Sequence, residues 1–243
     1  PGRAFAGHVL VSADGATVYS SEIDLERETG LIGVRDGASL AKLDEWPTGG
    51  ADPHQLVWDA VRPGHLVVAN GGVPTRPETG RRKRDLESMA SSLARIEAGS
   101  GRITGRWRLD DPRLSLRHLA WNGARLGIAL QAEHDDADAR RSAPVLAILE
   151  NDRLQTFDAP GMQGYGGSIA AHADGFPGVE RCGALGAVPI DGDRLEPELP
   201  GFGVGLHDVL DGGVFREIDG FGNGIVDGNL ESPLNVQMSA GGN

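Results

Sequence analysis

The sequence predicts an all-β protein, a β-propeller built from four-stranded antiparallel blades. Three observations carry this prediction: an internal repeat, turn-forming dipeptides within its copies, and an abundance of residues that interrupt helices. The 243 residues include 37 glycines and 14 prolines, a composition that favours many short strands joined by tight turns. About three blades are recognisable, followed by an irregular C-terminal part, so we expect an incomplete propeller.

The repeat unit consists of a histidine, a short apolar strand, a polar turn and a second apolar strand. Clear copies begin at His8, His54 and His118, and a weaker fourth copy begins at Gly167. Four-stranded propeller blades repeat roughly every 40–50 residues. The first unit has this length, and a polar insertion at about 71–90 accounts for the greater length of the second.

Each unit has room for two further strands after its first hairpin. The dipeptides Asp14-Gly15 and Asn122-Gly123 separate the first two strands of their units, where they favour tight hairpin turns. The further strands are expected at Leu31–Arg35, Leu40–Trp46, Ser92–Ile96, Ile103–Leu109, Val145–Leu149 and Leu154–Phe157.

The sequence changes character after residue 171. Residues 1–171 carry the blade pattern, whereas residues 172–243 are rich in glycine and have no clean repeat. Because glycine weakens strands, we expect the second segment to be loosely structured or to hold degenerate blades. Short strands are expected there at Ala184–Ile190 and Val214–Ile218.

Composition and charge exclude several classes of protein. The formal net charge of −12 would repel nucleic-acid phosphates, so no nucleic-acid partner is expected. The sequence contains no run of 18 apolar residues, and we therefore expect no membrane span. Cys182 is the only cysteine, which excludes an intrachain disulfide. The start at Pro1 suggests a removed signal segment or an internal fragment, and we expect a monomer.

The three repeat histidines are the first candidates for a functional site. The repeat start lies at or near the innermost strand of a blade, so His8, His54 and His118 should converge beside the central channel. Neutral imidazole is the commonest ligand of borderline metal ions. Glu22 and Glu133, near the ends of second strands, are the best carboxylates to complete a metal site.

A structural role for these histidines is the favoured alternative. Each ring would then hydrogen-bond backbone groups and join neighbouring blades. Inner strands of neighbouring blades lie roughly 8–12 Å apart, about two sheet spacings. A shared ion would therefore require the side chains to reach inward, with Glu22 or a water molecule filling the gap.

The loop Asn70-Gly71-Gly72 is a second candidate, because it follows a strand and opens the long insertion. Its backbone could approach a ligand at the channel mouth. The favoured alternative is a simple turn in which glycine permits a positive φ.

Several of these segments also resemble a known bacterial family. The segments concerned are Ala6–His8, Asp14-Gly15, Tyr19–Glu22, Gly30–Val34, Asp52–His54, Val67–Gly72, Arg117–Ala120 and Gly166–Ile169. Through them the chain is similar, over residues 1 to about 171, to members of the domain of unknown function 1513 family.

The resemblance implies a propeller with WD-like, quinoprotein-like blades. It further implies export by a twin-arginine signal, a periplasmic location, and iron-regulated gene neighbourhoods beside haem or iron-uptake proteins. Family members are about half as long again, enough for seven blades, and the expected blade pattern is lost after residue 171. A truncated gene or a shifted reading frame would explain that loss.

Three functions remain open at this point. The first is a binding or scaffold protein in periplasmic iron or haem handling. The second is a metal-dependent enzyme with a histidine-lined channel site, and the third is a truncated copy without function. The sequence has no nucleophile-elbow, zinc-protease, C-x-x-C or phosphate-loop motif, which favours a protein that is not an enzyme.

Overall fold

The computed structural model describes residues 2–73, 86–159, 162, 164–165, 167–172, 175–179 and 185–189. All of them belong to one compact unit, Pro1–Glu198. The strand predicted at Val214–Ile218 lies outside the described residues.

Twelve of the described strands form three four-stranded antiparallel sheets, each built from consecutive strands. The first blade contains β1 (Arg3–Val11), β2 (Thr17–Asp24), β3 (Thr29–Asp36) and β4 (Lys42–Pro47). The second contains β5 (Pro53–Trp58), β6 (His65–Asn70), β7 (Ser92–Glu97) and β8 (Ile103–Trp107). The third contains β9 (Leu114–Asn122), β10 (Arg125–Ala132), β11 (Leu146–Glu150) and β12 (Arg153–Phe157). The predicted all-β propeller is therefore confirmed, and the described part of it is incomplete.

Among the described residues, two short helical segments interrupt the blades. A single 3-10 turn, Leu86–Ser88, precedes β7. The helix α1 (Ala137–Ser142) connects β10 to β11, and the Asp136 side chain accepts a hydrogen bond from the amide of Ala139 at its start. An aspartate in this position satisfies an amide that has no partner within the helix.

A smaller antiparallel sheet follows the third blade. It contains β13 (Ser168–Ile169), β14 (Gly175–Val179) and β15 (Leu185–Pro189), in that order. β15 lies within Ala184–Ile190, where the sequence predicts a short strand. The sheet has one strand before residue 171 and two after it, and the domain boundary at 171 stays a prediction.

The blades pack face to face through apolar side chains. β6 is buried on both faces, because side chains alternate along a strand. Leu66 and Val68 pack in a cluster with Tyr19 and Ile32 of the first blade. Val67 packs instead with residues of the third blade. The first strands of the three blades consequently lie side by side, with β5 in contact with both β1 and β9.

Leu66→Ala tests the packing between the first two blades. Leu66 is 0% exposed, so the substitution should lower the free energy of unfolding by about 2–5 kcal/mol through lost burial and the cavity left behind. The matched control is Leu43→Ala, since Leu43 is 63% exposed and should change stability by less than about 0.5 kcal/mol. Urea titration measures both, and equal effects would contradict this packing.

Candidate metal centre

Each repeat histidine lies where the register of its inner strand shifts. In β1 the shift falls between Phe5 and Val9, and in β5 it falls between Pro53 and Leu56. In β9 the pair Arg117 and His118 opposes a single residue of β10. A β-bulge of this kind adds residues to one strand and redirects the side chains at that point. The same irregularity thus recurs at His8, His54 and His118.

Side chains compensate the interrupted ladder at two of these bulges. The hydroxyl of Ser21 lies 3.2 Å from the backbone nitrogen of His8, which donates to it, and 3.3 Å from the His8 carbonyl, to which it donates. At the third bulge the Leu119 amide donates to Oε1 of Gln55 from the neighbouring blade. The bulges are therefore hydrogen-bonded parts of the fold.

The three imidazole rings converge. Ring centroids are 4.7 Å apart for His8 and His54, 4.7 Å for His54 and His118, and 5.4 Å for His8 and His118. One ligand nitrogen from each ring lies within 4.8 Å of the others, and the Nε2 atoms of His54 and His118 are 3.2 Å apart. The side chains thus reach inward across the space between the strands.

This spacing matches the requirements of a single metal ion. Two nitrogens bound to one tetrahedral zinc at about 2.0–2.1 Å lie about 3.3 Å apart. The His54–His118 separation already has this value, and His8 needs only a small side-chain movement to join them.

The surroundings of His8 and His118 favour the neutral form of their rings. Burial lowers the pKa of His8, and the nearby Arg117 guanidinium lowers it further. His118 is only 9% exposed, and burial, followed by His8 and Arg117, lowers its pKa to about 4. Neutral imidazole is the form that binds a metal ion.

Four polar residues that the sequence did not single out surround the cluster. Arg117 is held by Asp52, with Nη1 to Oδ2 at 2.8 Å, and by Gln131, with Nε to Oε1 at 3.1 Å. The hydroxyl of Tyr165 lies 3.2 Å from Nδ1 of His118. Arg117 and Asp52 flank two repeat histidines in sequence, and that proximity is a signal that could have found them.

Neither of the two predicted carboxylates belongs to the group that the three histidines form among the described residues. Glu22 accepts hydrogen bonds from Ser20 and Arg35, with the Arg35 contact at 2.6 Å. Burial raises the pKa of Glu22, but these bonds and the charge of Lys42 outweigh burial, so the net shift is downward. Glu133 is buried just after β10, where its amide donates to the Arg113 carbonyl. Among the described residues, the group that could share an ion contains the three histidines alone.

The loop Asn70-Gly71-Gly72 packs beside the site. Gly72 has a φ of +74°, as the turn interpretation requires. A Cβ on Gly71 would lie 2.5 Å from Oδ2 of Asp52 and 3.0 Å from Nη1 of Arg117. Because Gly71 has no side chain, it leaves room for the Asp52–Arg117 ion pair, and the loop packs against that pair.

The Asn70 side chain anchors this loop. It is fully buried, and its Nδ2 donates to the Thr48 carbonyl and to the Ser92 hydroxyl, each at 3.3 Å. These contacts join the first two blades and account for an asparagine at the end of β6.

The family model described as "Protein of unknown function (DUF1513)" matches residues 1–180. The chain belongs to the DUF1513 family. No curated protein matches its sequence.

Solved structures similar to this DUF1513 chain share little sequence with it. A chain of the mitotic checkpoint complex is 12% identical, with 76% of this chain and 49% of that chain covered and a TM-score of 0.49. Hydrazine synthase of Kuenenia stuttgartiensis is 14% identical, with 70% and 60% covered and a TM-score of 0.46. The WD40 β-propeller domain of Doa1 is 12% identical, with 73% and 46% covered and a TM-score of 0.44. The chain thus spans about half the length of these solved chains.

In the part of the DUF1513 chain that the structure describes, none of the helices combines the length and apolar character of a membrane span.

The lowered histidine pKa values predict a loss of stability in mild acid. Between about pH 6.5 and pH 4 the unfolded chain protonates a histidine that the folded chain keeps neutral, so stability falls as the pH falls. His118→Asn should flatten this dependence, measured by urea unfolding of chelator-treated DUF1513 protein at several pH values. His65→Asn, outside the cluster, is the control. A wild-type profile that is flat over this range would contradict the prediction.

Proposed function

We propose that this DUF1513 protein binds metal, and that His8, His54 and His118 hold one transition-metal ion at the inner edge of three successive blades. The observation that carries the proposal is the approach of one nitrogen from each ring to within 4.8 Å of the other two.

The ligand set favours a borderline metal ion. Three neutral imidazole nitrogens suit zinc, copper, iron or nickel, whereas calcium and magnesium prefer oxygen ligands. A bare ion fits better than haem iron. Two ligands on opposite faces of a haem would lie about 4 Å apart with the porphyrin between them, farther than the 3.2 Å between Nε2 of His54 and of His118.

A binding role in periplasmic iron or haem handling is the favoured biological setting. It is supported by the family's implied association with iron-uptake genes and by the chemistry of the histidine cluster.

The alternative is a metal-dependent enzyme, which is supported by the number of ligands. Three protein ligands leave a coordination position open, as catalytic zinc sites do. An ion that survives purification at about one per chain would favour the enzyme, and a readily exchanged ion would favour handling.

Removal of one ligand tests the metal centre. His54→Ala should weaken Zn²⁺ binding by about 100-fold or more, beyond the 10–100-fold typical of losing an outer hydrogen-bond partner. Calorimetric titration of chelator-treated protein measures the affinity and the stoichiometry, expected to be one ion per chain. His65→Ala should bind Zn²⁺ like the wild type. Unchanged Zn²⁺ affinity in His54→Ala, together with reduced thermal stability, would leave only a structural role.

The iron role requires a cellular experiment, because zinc and copper outcompete iron for most nitrogen sites in vitro. The protein, exported to the periplasm of a bacterial host, is isolated from iron-replete and iron-limited cultures and its metal content measured. Iron that follows the culture conditions and is lost in His54→Ala is expected. Zinc alone under both conditions would contradict iron handling while leaving metal binding intact.

A further inference from the structure

Tyr165 contacts the histidine cluster from outside the three blades. It lies between the third blade and β13, and its hydroxyl oxygen is 3.2 Å from Nδ1 of His118. The two rings are nearly parallel, with an interplanar angle of 18° and centroids 6.4 Å apart. Tyr165 therefore meets the nitrogen of His118 that is not turned toward His54.

The backbone around Tyr165 is attached to the C-terminal end of β10 in the third blade. The Ala132 amide donates to the Gly164 carbonyl at 3.2 Å, and Tyr165 itself forms an antiparallel bridge with Gln131. The backbone carbonyl of Gly167 also accepts a hydrogen bond from the His118 ring. The position of the phenol is thus fixed by β10, the strand paired with the one that carries His118.

A metal ion at this site constrains the tautomer of His118. Its Nε2 faces Nε2 of His54 and is therefore the atom that would bind the ion. A binding nitrogen must present a lone pair, so the proton of the neutral ring has to be on Nδ1. That N–H then donates to the Tyr165 oxygen. Metal-bound histidines almost always donate their second ring nitrogen to such a partner, which fixes the ring and raises its basicity.

We infer that Tyr165 is a positioning residue of the metal centre, which holds His118 as the Nδ1–H tautomer with Nε2 directed at the ion. This inference rests on the proposed function. The phenol acts through His118 and does not bind the ion.

Tyr165→Phe removes the hydroxyl and keeps the ring. The matched control is Tyr19→Phe, since the chain has two tyrosines and Tyr19 packs against Trp46 and Trp58 between the first two blades. Co²⁺ is the probe, because its visible absorption reports both occupancy and ligand geometry. Tyr165→Phe should weaken Co²⁺ binding about 10- to 100-fold and alter the absorption of the loaded protein. Tyr19→Phe should do neither.

A conservative replacement and a tautomer measurement complete the test. Tyr165→Gln offers a side-chain carbonyl for the Nδ1–H and should recover part of the lost affinity. Nitrogen-15 NMR of the metal-free wild type should find His118 in the Nδ1–H form; the Nε2–H form would overturn the inference even if the variants failed to fold. Equal Co²⁺ affinity and absorption in Tyr165→Phe and wild type would overturn it while leaving the metal centre intact. Absence of saturable Co²⁺ binding by the wild type would overturn both.

Discussion

The face-to-face packing of successive blades is the constraint on which the candidate site depends. β6 has no solvent face of its own: Leu66 and Val68 pack on the first blade, whereas Val67 and Ala69 pack on the third. This two-sided burial brings the first strands of three blades side by side, and equivalent positions in those strands then approach one another. Convergence of the histidines is therefore a consequence of the repeat. The bulges interrupt the regular alternation of side chains in each strand and so direct the three histidine rings toward one another.

The cluster has an energetic cost that apolar side chains would avoid. Burial of the His118 ring, with Arg117 and His8 nearby, makes its protonated form unfavourable and so reduces stability in mild acid. The charge of Arg117 is balanced by Asp52, at 2.8 Å, and the Gly71 backbone leaves space for that pair. A leucine or valine at the bulge would join blades without these requirements. This cost is one argument for the metal-binding role that we propose.

Sequence reasoning could predict the blades because hydrophobic alternation and turn residues are local signals. The strands expected at Ser92–Ile96 and Leu154–Phe157 lie where β7 and β12 are found. Two expected strands are too long: Leu40, with a φ of +58°, lies in the turn before β4, and β8 ends at Trp107 rather than at Leu109. The shared position of the histidines was likewise visible, because the repeat places them in one register. The partners of the carboxylates were not predictable from the sequence: Glu22 pairs with Arg35 and Lys42. Which face a residue of a second strand occupies depends on register, and register depends on bulges that leave no clear mark in the sequence.

Tyr165 contacts the histidine cluster from a position that the repeat pattern does not mark. The fourth copy begins at Gly167, where the other copies have histidine, so its first position supplies no imidazole ring. The same segment instead supplies a phenol two residues earlier, at Nδ1 of His118. All three candidate ligands and their Arg117, Asp52 and Gln131 neighbours come from three consecutive blades, and Tyr165 follows the last of them directly. The described geometry of the histidine cluster therefore comes from these three blades and from the segment that follows them.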